Sequence, residues 1–291
     1  MTGYDNLPPA LTQTLSQHNI KVSRVISFSQ RKGRWCVEGN CADGRKMLIK
    51  WDEENNYKFA ASLAKEKSIY QSLSPRNYLA GFVDFDGILA LAFLDHYETA
   101  RKRLKENSFR DNHLPLIKMA LFAWMDFTSD SEHLSQFCSF SVPEYKDEIN
   151  KYLWTLMLSG PAGTQATRFQ TLRNRAIYRV IHRAIKWTDK SEQPEAQVIH
   201  GDFHLNNVLC NEQGGHCVLI DFEDVSYGYR VLELAVFYAQ VWRLKCGDKQ
   251  LLRELDAFIN QEILKDTVER KRFWKIARLY KIGIFFNRRF S

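Results

Sequence analysis

The sequence lacks any paired-cysteine pattern: Cys36, Cys41, Cys138, Cys210, Cys217 and Cys246 stand without CxxC spacing. That gives no zinc cage and no disulfide framework, so reduced and mostly buried thiols are expected. Proline and glycine are sparse, 7 and 14 of 291 residues, and no Pro-, Gly- or Gln-rich tract interrupts the chain, so it is expected to fold throughout. A repeat at solenoid or propeller period is missing, which excludes architectures that stack small units. No apolar run approaches the ~20 residues needed to cross a bilayer. The opening Met1 to Asp5 has no basic-then-apolar signal pattern, and a cytoplasmic location is expected.

What is present is an ordinary globular composition, 45% hydrophobic and 26% charged, with a formal net charge of +7. Positive charge permits attraction to phosphates or an anionic surface without identifying either. Much of it lies between Glu269 and Lys281, where aromatic and aliphatic residues recur at helical spacing. That run reads as a terminal helix with a solvated basic face, in preference to a membrane-surface helix. No nucleic-acid recognition motif accompanies the charge, so no nucleic-acid partner is expected.

The first third of the chain is β-rich. Lys21 to Lys50 alternates, with turn signals at Arg31-Lys32-Gly33 and Ala42-Asp43-Gly44, and predicts three antiparallel strands after a short helix around Leu11 to Gln17. Lys58 to Leu73 places Phe59, Leu63, Glu66, Ile69, Tyr70 and Leu73 at helical intervals. Phe82 to Leu94 predicts two more strands joined at Asp86-Gly87. From Thr99 to Lys190 the pattern is helical, with a turn at Ser159 to Gly163, and helices resume from Leu232 after two short apolar pieces. The expected class is α+β with two lobes, 1–95 and 96–291, meeting near Leu94-Asp95.

The segment richest in chemistry is Ile199-His200-Gly201-Asp202-Phe203-His204-Leu205-Asn206-Asn207, followed by Leu219-Ile220-Asp221-Phe222-Glu223. Phosphoryl transfer needs a carboxylate to receive or orient the acceptor's proton, and oxygen ligands for a hard divalent ion that bridges phosphates. Asp202 suits the first task, and Asn207 with Asp221 suits the second. The spacing of His200, His204 and His216 is not HExxH, and His200 reads as a packed residue that stiffens the loop.

These two motifs, at this separation, resemble those of the aminoglycoside phosphotransferase and choline kinase superfamily. The resemblance implies a bilobal protein-kinase-like fold and ATP with Mg²⁺ as cofactors. It implies that Asp202 is the catalytic carboxylate and that Asn207 and Asp221 are magnesium ligands. It further implies that Lys50 on the third strand holds phosphates, that Glu66 orients Lys50, and that Phe93 and Leu94 flank the adenine. The run Asp221-Phe222-Glu223 to Tyr227-Gly228-Tyr229-Arg230 is similar to choline and ethanolamine kinases in particular, with Glu233 standing where the superfamily usually has Asp. After Arg230 the match fades, at Gln240, Val241 and Lys245.

No GxGxxG is present. The turn Ser29 to Arg34 is either the nucleotide flap or a plain hairpin turn with solvated Arg31 and Lys32. The expected activity is transfer of the γ-phosphoryl group to a hydroxyl of a small molecule such as an amino alcohol or sugar. Three alternatives stand beside it: a kinase for a lipid-linked or cell-envelope saccharide, an aminoglycoside phosphotransferase using Asp126, Asp130, Glu223 and Asp224, and a pseudokinase scaffold. Trp124, Trp154 and Trp187 are expected to be packing residues more often than recognition residues. The sequence does not indicate the oligomeric state.

Overall fold

A computed structural model describes residues 7–29, 33–53, 57–92, 94, 96–138, 142, 144, 145, 147–149, 151, 194–211 and 215–289. Phe93, the Gln30–Lys32 part of the expected flap, the Ser159–Gly163 turn, Trp154 and Trp187 lie outside the described residues. After helix α1 (Pro9–Gln17) come β1 (Ile20–Ser29), β2 (Arg34–Cys41), β3 (Lys46–Asp52), α2 (Tyr57–Leu73), β4 (Phe82–Phe85) and β5 (Ile88–Ala92). The five strands form one antiparallel sheet in the order β1-β2-β3-β5-β4.

Strand period sets what each face of this sheet does. Met47, Ile49 and Trp51 of β3, with Ile88 and Ala90 of β5, face α1 and pack with Leu11 and Leu15. The opposite parity, Leu48 on β3 and Leu89 and Leu91 on β5, joins the larger core that holds α2 and the second lobe. Lys50 shares the parity of Leu48, so the strand delivers its ammonium to the α2 side. On α2, Leu63, Glu66, Tyr70 and Leu73 fall three or four residues apart on one stripe, which turns Glu66 toward β3.

The second lobe is mainly helical. It contains the short strand β6 (Glu98–Thr99), α3 (Ala100–Lys105), α4 (His113–Ser129) and α5 (Ser131–Leu134), and later α6 (Arg230–Lys245), α7 (Lys249–Phe258) and α8 (Thr267–Arg289). Thr99 caps α3 by accepting from the Lys102 amide, and Asp248 caps α7 in the same way through Leu251. α6 buries Val231 to Ala239 without a break and is the central helix of the lobe, as expected for a helix that is apolar all round. α8 buries Phe273, Ile276, Ala277 and Tyr280. Beside these, Lys271, Lys275 and Arg278 line a groove with Trp274 and Leu279, which themselves pack against the core, so the terminal basic run is a packed helix as the sequence indicated. Among the described residues no helix is long and apolar enough to cross a membrane.

Between α5 and α6 the chain forms β7 (Gln197–Ile199), β8 (Val208–Cys210), β9 (Cys217–Leu219) and β10 (Ser226–Gly228). β8 and β9 pair antiparallel with Val208 opposite Leu219, and β10 pairs with β7. These small ladders hold the loop that begins at His200 beside the segment that begins at Asp221.

The α1-side core is small and isolated from the larger one, so it has little with which to absorb a void. Ile49→Ala, at a position with no exposure, is expected to destabilise the protein by ~2–5 kcal/mol in denaturant unfolding. A change below ~1 kcal/mol would show that this face does not form a tight core.

Candidate functional site

The parity of β3 and the register of α2 bring Lys50 and Glu66 together. The Lys50 ammonium donates to Glu66 Oε1 and Oε2 at 2.8 and 3.0 Å, and to Asp221 Oδ1 at 2.9 Å. Glu66 is wholly buried and the Lys50 side chain is 10% exposed, whereas Asp221 remains 31% open. Burial works against the Lys50 charge, but the carboxylates of Glu66 and Asp221 outweigh it and hold the ammonium above its ordinary pKa. Burial pushes Glu66 upward, with Lys50 opposing.

Asp221 is the one non-glycine residue of this segment in the left-handed region, at φ 71 and ψ 61. That conformation is unfavourable for an L side chain and persists only where the surroundings fix it. Phe222 supplies one restraint. It is fully buried, with its ring 5.2 Å from Tyr70 of α2, 5.1 Å from Phe127 of α4 and 5.1 Å from His200. Aromatic contacts of this kind contribute ~0.5–1.5 kcal/mol each beyond area burial. One column of rings therefore joins α2, α4, the His200 loop and the Asp221 segment.

The His200 loop is braced from behind. Glu233 of α6, buried, accepts from the Gly201 amide at 2.7 Å, the His200 amide at 3.2 Å and the Trp124 indole at 2.6 Å. Gly201 sits at φ 84, and a side chain there would collide with the Asp224 carbonyl at 1.9 Å, so only glycine fits. His200 is fully buried, and its Nε2 hydrogen-bonds the Ile220 carbonyl at 3.1 Å. Burial pushes its pKa down to about 4, so the ring is neutral at pH 7 and serves as packing, in keeping with the sequence reading.

Asp202 and Asn207 meet at the front of this loop. Asn207 Nδ2 donates to the Asp202 carbonyl at 3.0 Å and to its Oδ2 at 3.1 Å, which leaves the amide oxygen as the acceptor end of Asn207. The Ile220 amide donates to the Asn207 carbonyl at 3.1 Å, continuing the β8–β9 ladder, so Asn207 and Asp221 are held on adjacent backbones. His204 was set aside in the sequence. Its Nδ1 accepts from the Asn207 amide at 3.2 Å, which puts the ring proton on Nε2, 3.3 Å from Asp202 Oδ2. The Asp202 side chain is 44% exposed. Burial, with repulsion from Asp224 and Asp221, raises its pKa, while His204 and Asn207 oppose the rise.

Leu94 lies half-buried against the larger core, and its carbonyl accepts from the Tyr97 amide at 3.1 Å. The residues that sequence reasoning missed are Arg34, Asp52 and Ser62, which form a second buried polar knot with Glu223. A signal was present only in part: Asp52 follows Lys50 at the strand's own period, but nothing local marks Arg34 as its partner.

Lys50, Arg34 and Lys65 thus face Glu66, Asp221, Asp52, Glu223, Asp224 and Asp202, a cluster with more carboxylates than cations. Among the described residues no three His, Cys, Asp or Glu side chains converge closely enough to hold a metal alone. The excess negative charge and an oxygen-only donor pair, Asn207 and Asp221, fit a hard divalent ion completed by phosphate oxygens and water.

Glu233 makes one pH effect predictable. Burial raises its pKa to about 7, against the lowering influence of the Trp124 indole and the Gly201, His200 and Phe203 amides. The native state then binds the proton more tightly than the unfolded chain, so this group's contribution is full at low pH and is lost as pH rises toward and through 7. The melting temperature of the wild type relative to Glu233→Gln should therefore fall between pH 5 and 8, and a flat difference would contradict the assignment.

The model of the phosphotransferase enzyme family matches residues 151–273. No curated protein matches the chain by sequence. Among solved structures, an ethanolamine kinase of Plasmodium vivax superposes with a TM-score of 0.53 at 17% identity, covering 98% of this chain and 77% of that one. The aminoglycoside phosphotransferase APH(3'')-Id of Streptomyces rimosus gives 0.53 at 13% identity, covering 97% and 99%. A type I macrolide 2'-phosphotransferase gives 0.50 at 12% identity, covering 98% and 89%. The chain has the protein-kinase-like fold of these enzymes, an antiparallel N-lobe on a helical C-lobe, and over residues 151–273 it matches the phosphotransferase enzyme family.

Proposed function

We propose that the protein is an ATP- and Mg²⁺-dependent phosphotransferase that moves the γ-phosphoryl group to a hydroxyl of a small molecule. The observation that carries the reading is Lys50 bridging Glu66 and Asp221 beside the Asp202–Asn207 loop. Asn207 and Asp221 would hold the divalent ion, which supplies charge neutralisation for the nucleotide phosphates when bound. Lys50, kept charged and oriented by Glu66, is the cation for the α- and β-phosphates. Asp202 receives the acceptor's hydroxyl proton as the oxygen bonds to the γ-phosphorus and the bond to the bridging oxygen of ADP breaks. Its raised pKa suits a base working nearer neutrality.

The geometry also bears on the acceptor. An acidic pocket for a polycation would draw on Asp126, Asp130, Glu223 and Asp224, but Glu223 is 7% exposed and paired with Arg34. Asp130 is engaged by Arg76 and Tyr78. Two of those four acids are therefore spent inside the protein, which favours an uncharged or weakly charged small alcohol over an aminoglycoside. Between Asp221 and α6 the chain is used up by a 3-10 turn (Phe222–Asp224) and β10, leaving no segment on which a polypeptide substrate would lie. Among the described residues the basic groove of α8 is the feature that speaks for a lipid-linked acceptor, and its aromatic floor, Trp274, is engaged by Tyr238, Phe273 and Asn260 within the protein.

The test is ADP release over a panel of choline, ethanolamine, sugars, nucleosides and aminoglycosides. With the acceptor so found, Asp202→Asn should lower turnover by ~10²–10⁴ while leaving ADP binding intact. Asp221→Ala should abolish the metal-dependent part of ADP binding. Unchanged turnover in Asp202→Asn, or metal dependence surviving in Asp221→Ala, would overturn the roles assigned here.

A further inference from the structure

Arg34 ends the Ser29–Arg34 turn and opens β2, yet its side chain is only 9% exposed. It ties together groups from three places in the chain. Its Nε and Nη2 donate to the two oxygens of Asp52 at 2.6 and 2.9 Å, a bidentate fork between cross-strand partners. Its Nη1 donates to Glu223 Oε2 at 2.6 Å, and its Nη2 donates to Ser62 Oγ at 2.8 Å. The Ser62 hydroxyl in turn donates to Glu223 Oε2 at 3.1 Å.

Each group gathered by Arg34 lies a short step from one member of the Lys50 triad. Asp52 is two residues beyond Lys50 on β3, Ser62 is one helical turn before Glu66 on α2, and Glu223 is two residues beyond Asp221. The same three elements are therefore fastened twice, once by the Lys50 ammonium, whose partner Asp221 is partly open, and once by the Arg34 guanidinium, whose carboxylate partners are both sealed. Lys50 must share Asp221 with any bound metal, so its hold on that residue is conditional. Arg34 has no such competitor, because its carboxylate partners, Asp52 and Glu223, are 4% and 7% exposed. Burial opposes its charge, but Asp52 and Glu223 outweigh that and keep its pKa raised, so the knot is ionic at every physiological pH.

We infer that Arg34 is a positioning residue for the metal-binding segment: by anchoring Glu223 to β3 and α2 it holds Asp221 in its left-handed conformation when Lys50 lets go. The inference rests on the proposed function for its consequence, but its structural content can be tested without it. A lysine cannot substitute, since an ammonium lacks the planar fork that serves Asp52 and Glu223 together.

The experiment measures ADP affinity by calorimetry with and without Mg²⁺ in Arg34→Gln, Arg34→Lys, Glu223→Gln and the Arg34→Gln/Glu223→Gln double variant. Each is expected to lose about tenfold in Mg²⁺-dependent affinity with metal-free ADP affinity unchanged, the double variant losing no more than Arg34→Gln alone. Ser62→Ala, which strands no buried charge, should lose about threefold. Wild-type Mg²⁺–ADP affinity in these variants would overturn the inference, and so would an equal loss without metal, which would mean that Arg34 touches the phosphates directly. Hydrogen exchange supplies the arm that does not depend on nucleotide: amides of residues 222–225 should exchange about tenfold faster in Arg34→Gln while those of α6 stay protected. Should the wild type bind no Mg²⁺–ADP, the functional reading fails, and unchanged exchange at 222–225 still decides against the anchor.

Discussion

One ammonium, that of Lys50, meets a carboxylate from α2 and a carboxylate from the second lobe, and the rest of the site is arranged around that contact. β3 supplies the parity that aims Lys50 across the sheet, α2 supplies the stripe that aims Glu66 back, and the β8–β9 ladder delivers Asp221. Burying one cation between two anions is unfavourable unless the geometry is good and the remaining valences are met. Here one carboxylate is sealed from solvent and the other is left partly open, so the charge imbalance is presented to solvent at Asp221 rather than hidden.

The His200 loop shows the complementary arrangement, in which its Asp202 end is open and its support is buried. Asp202 faces solvent, while the amides behind it are held by Glu233 and the ring column through His200, Phe222 and Phe127 fills the space beneath. A glutamate one methylene longer than the usual aspartate still reaches both loop amides, and the Trp124 indole takes its other valence. Trp124 is thereby identified as a packed, hydrogen-bonded residue with no exposure. That matches the expectation that a tryptophan at helical spacing serves the core.

Much of this was legible in the sequence because it depends on short-range periodicity. The strands, the turns at Gly44 and Gly87 and the α2 stripe all lie within spans where parity and helical spacing operate, whereas the pairing of the HGD and DFE segments was read from their motif chemistry and family resemblance. The Arg34 knot was not legible, since its contact with Glu223 joins residues 189 positions apart and an arginine at a turn ordinarily reads as solvated. The pairing of Glu223 was hidden for the same reason: in the sequence it stands only as one of four acids available to a polycation, and its partner Arg34 comes from the other lobe. His204 was weighed only as a metal ligand, because its contact with Asp202 depends on which ring nitrogen the loop's own amide engages, a matter of local geometry with no spacing signature.

The central claim is that a nucleotide and a divalent ion share one carboxylate-rich cleft, so that each makes room for the other. Thermal shift of the wild-type protein with Mg²⁺ alone, ADP alone and both together measures this coupling directly. The account predicts that the joint shift exceeds the sum of the separate shifts; simple additivity would contradict it.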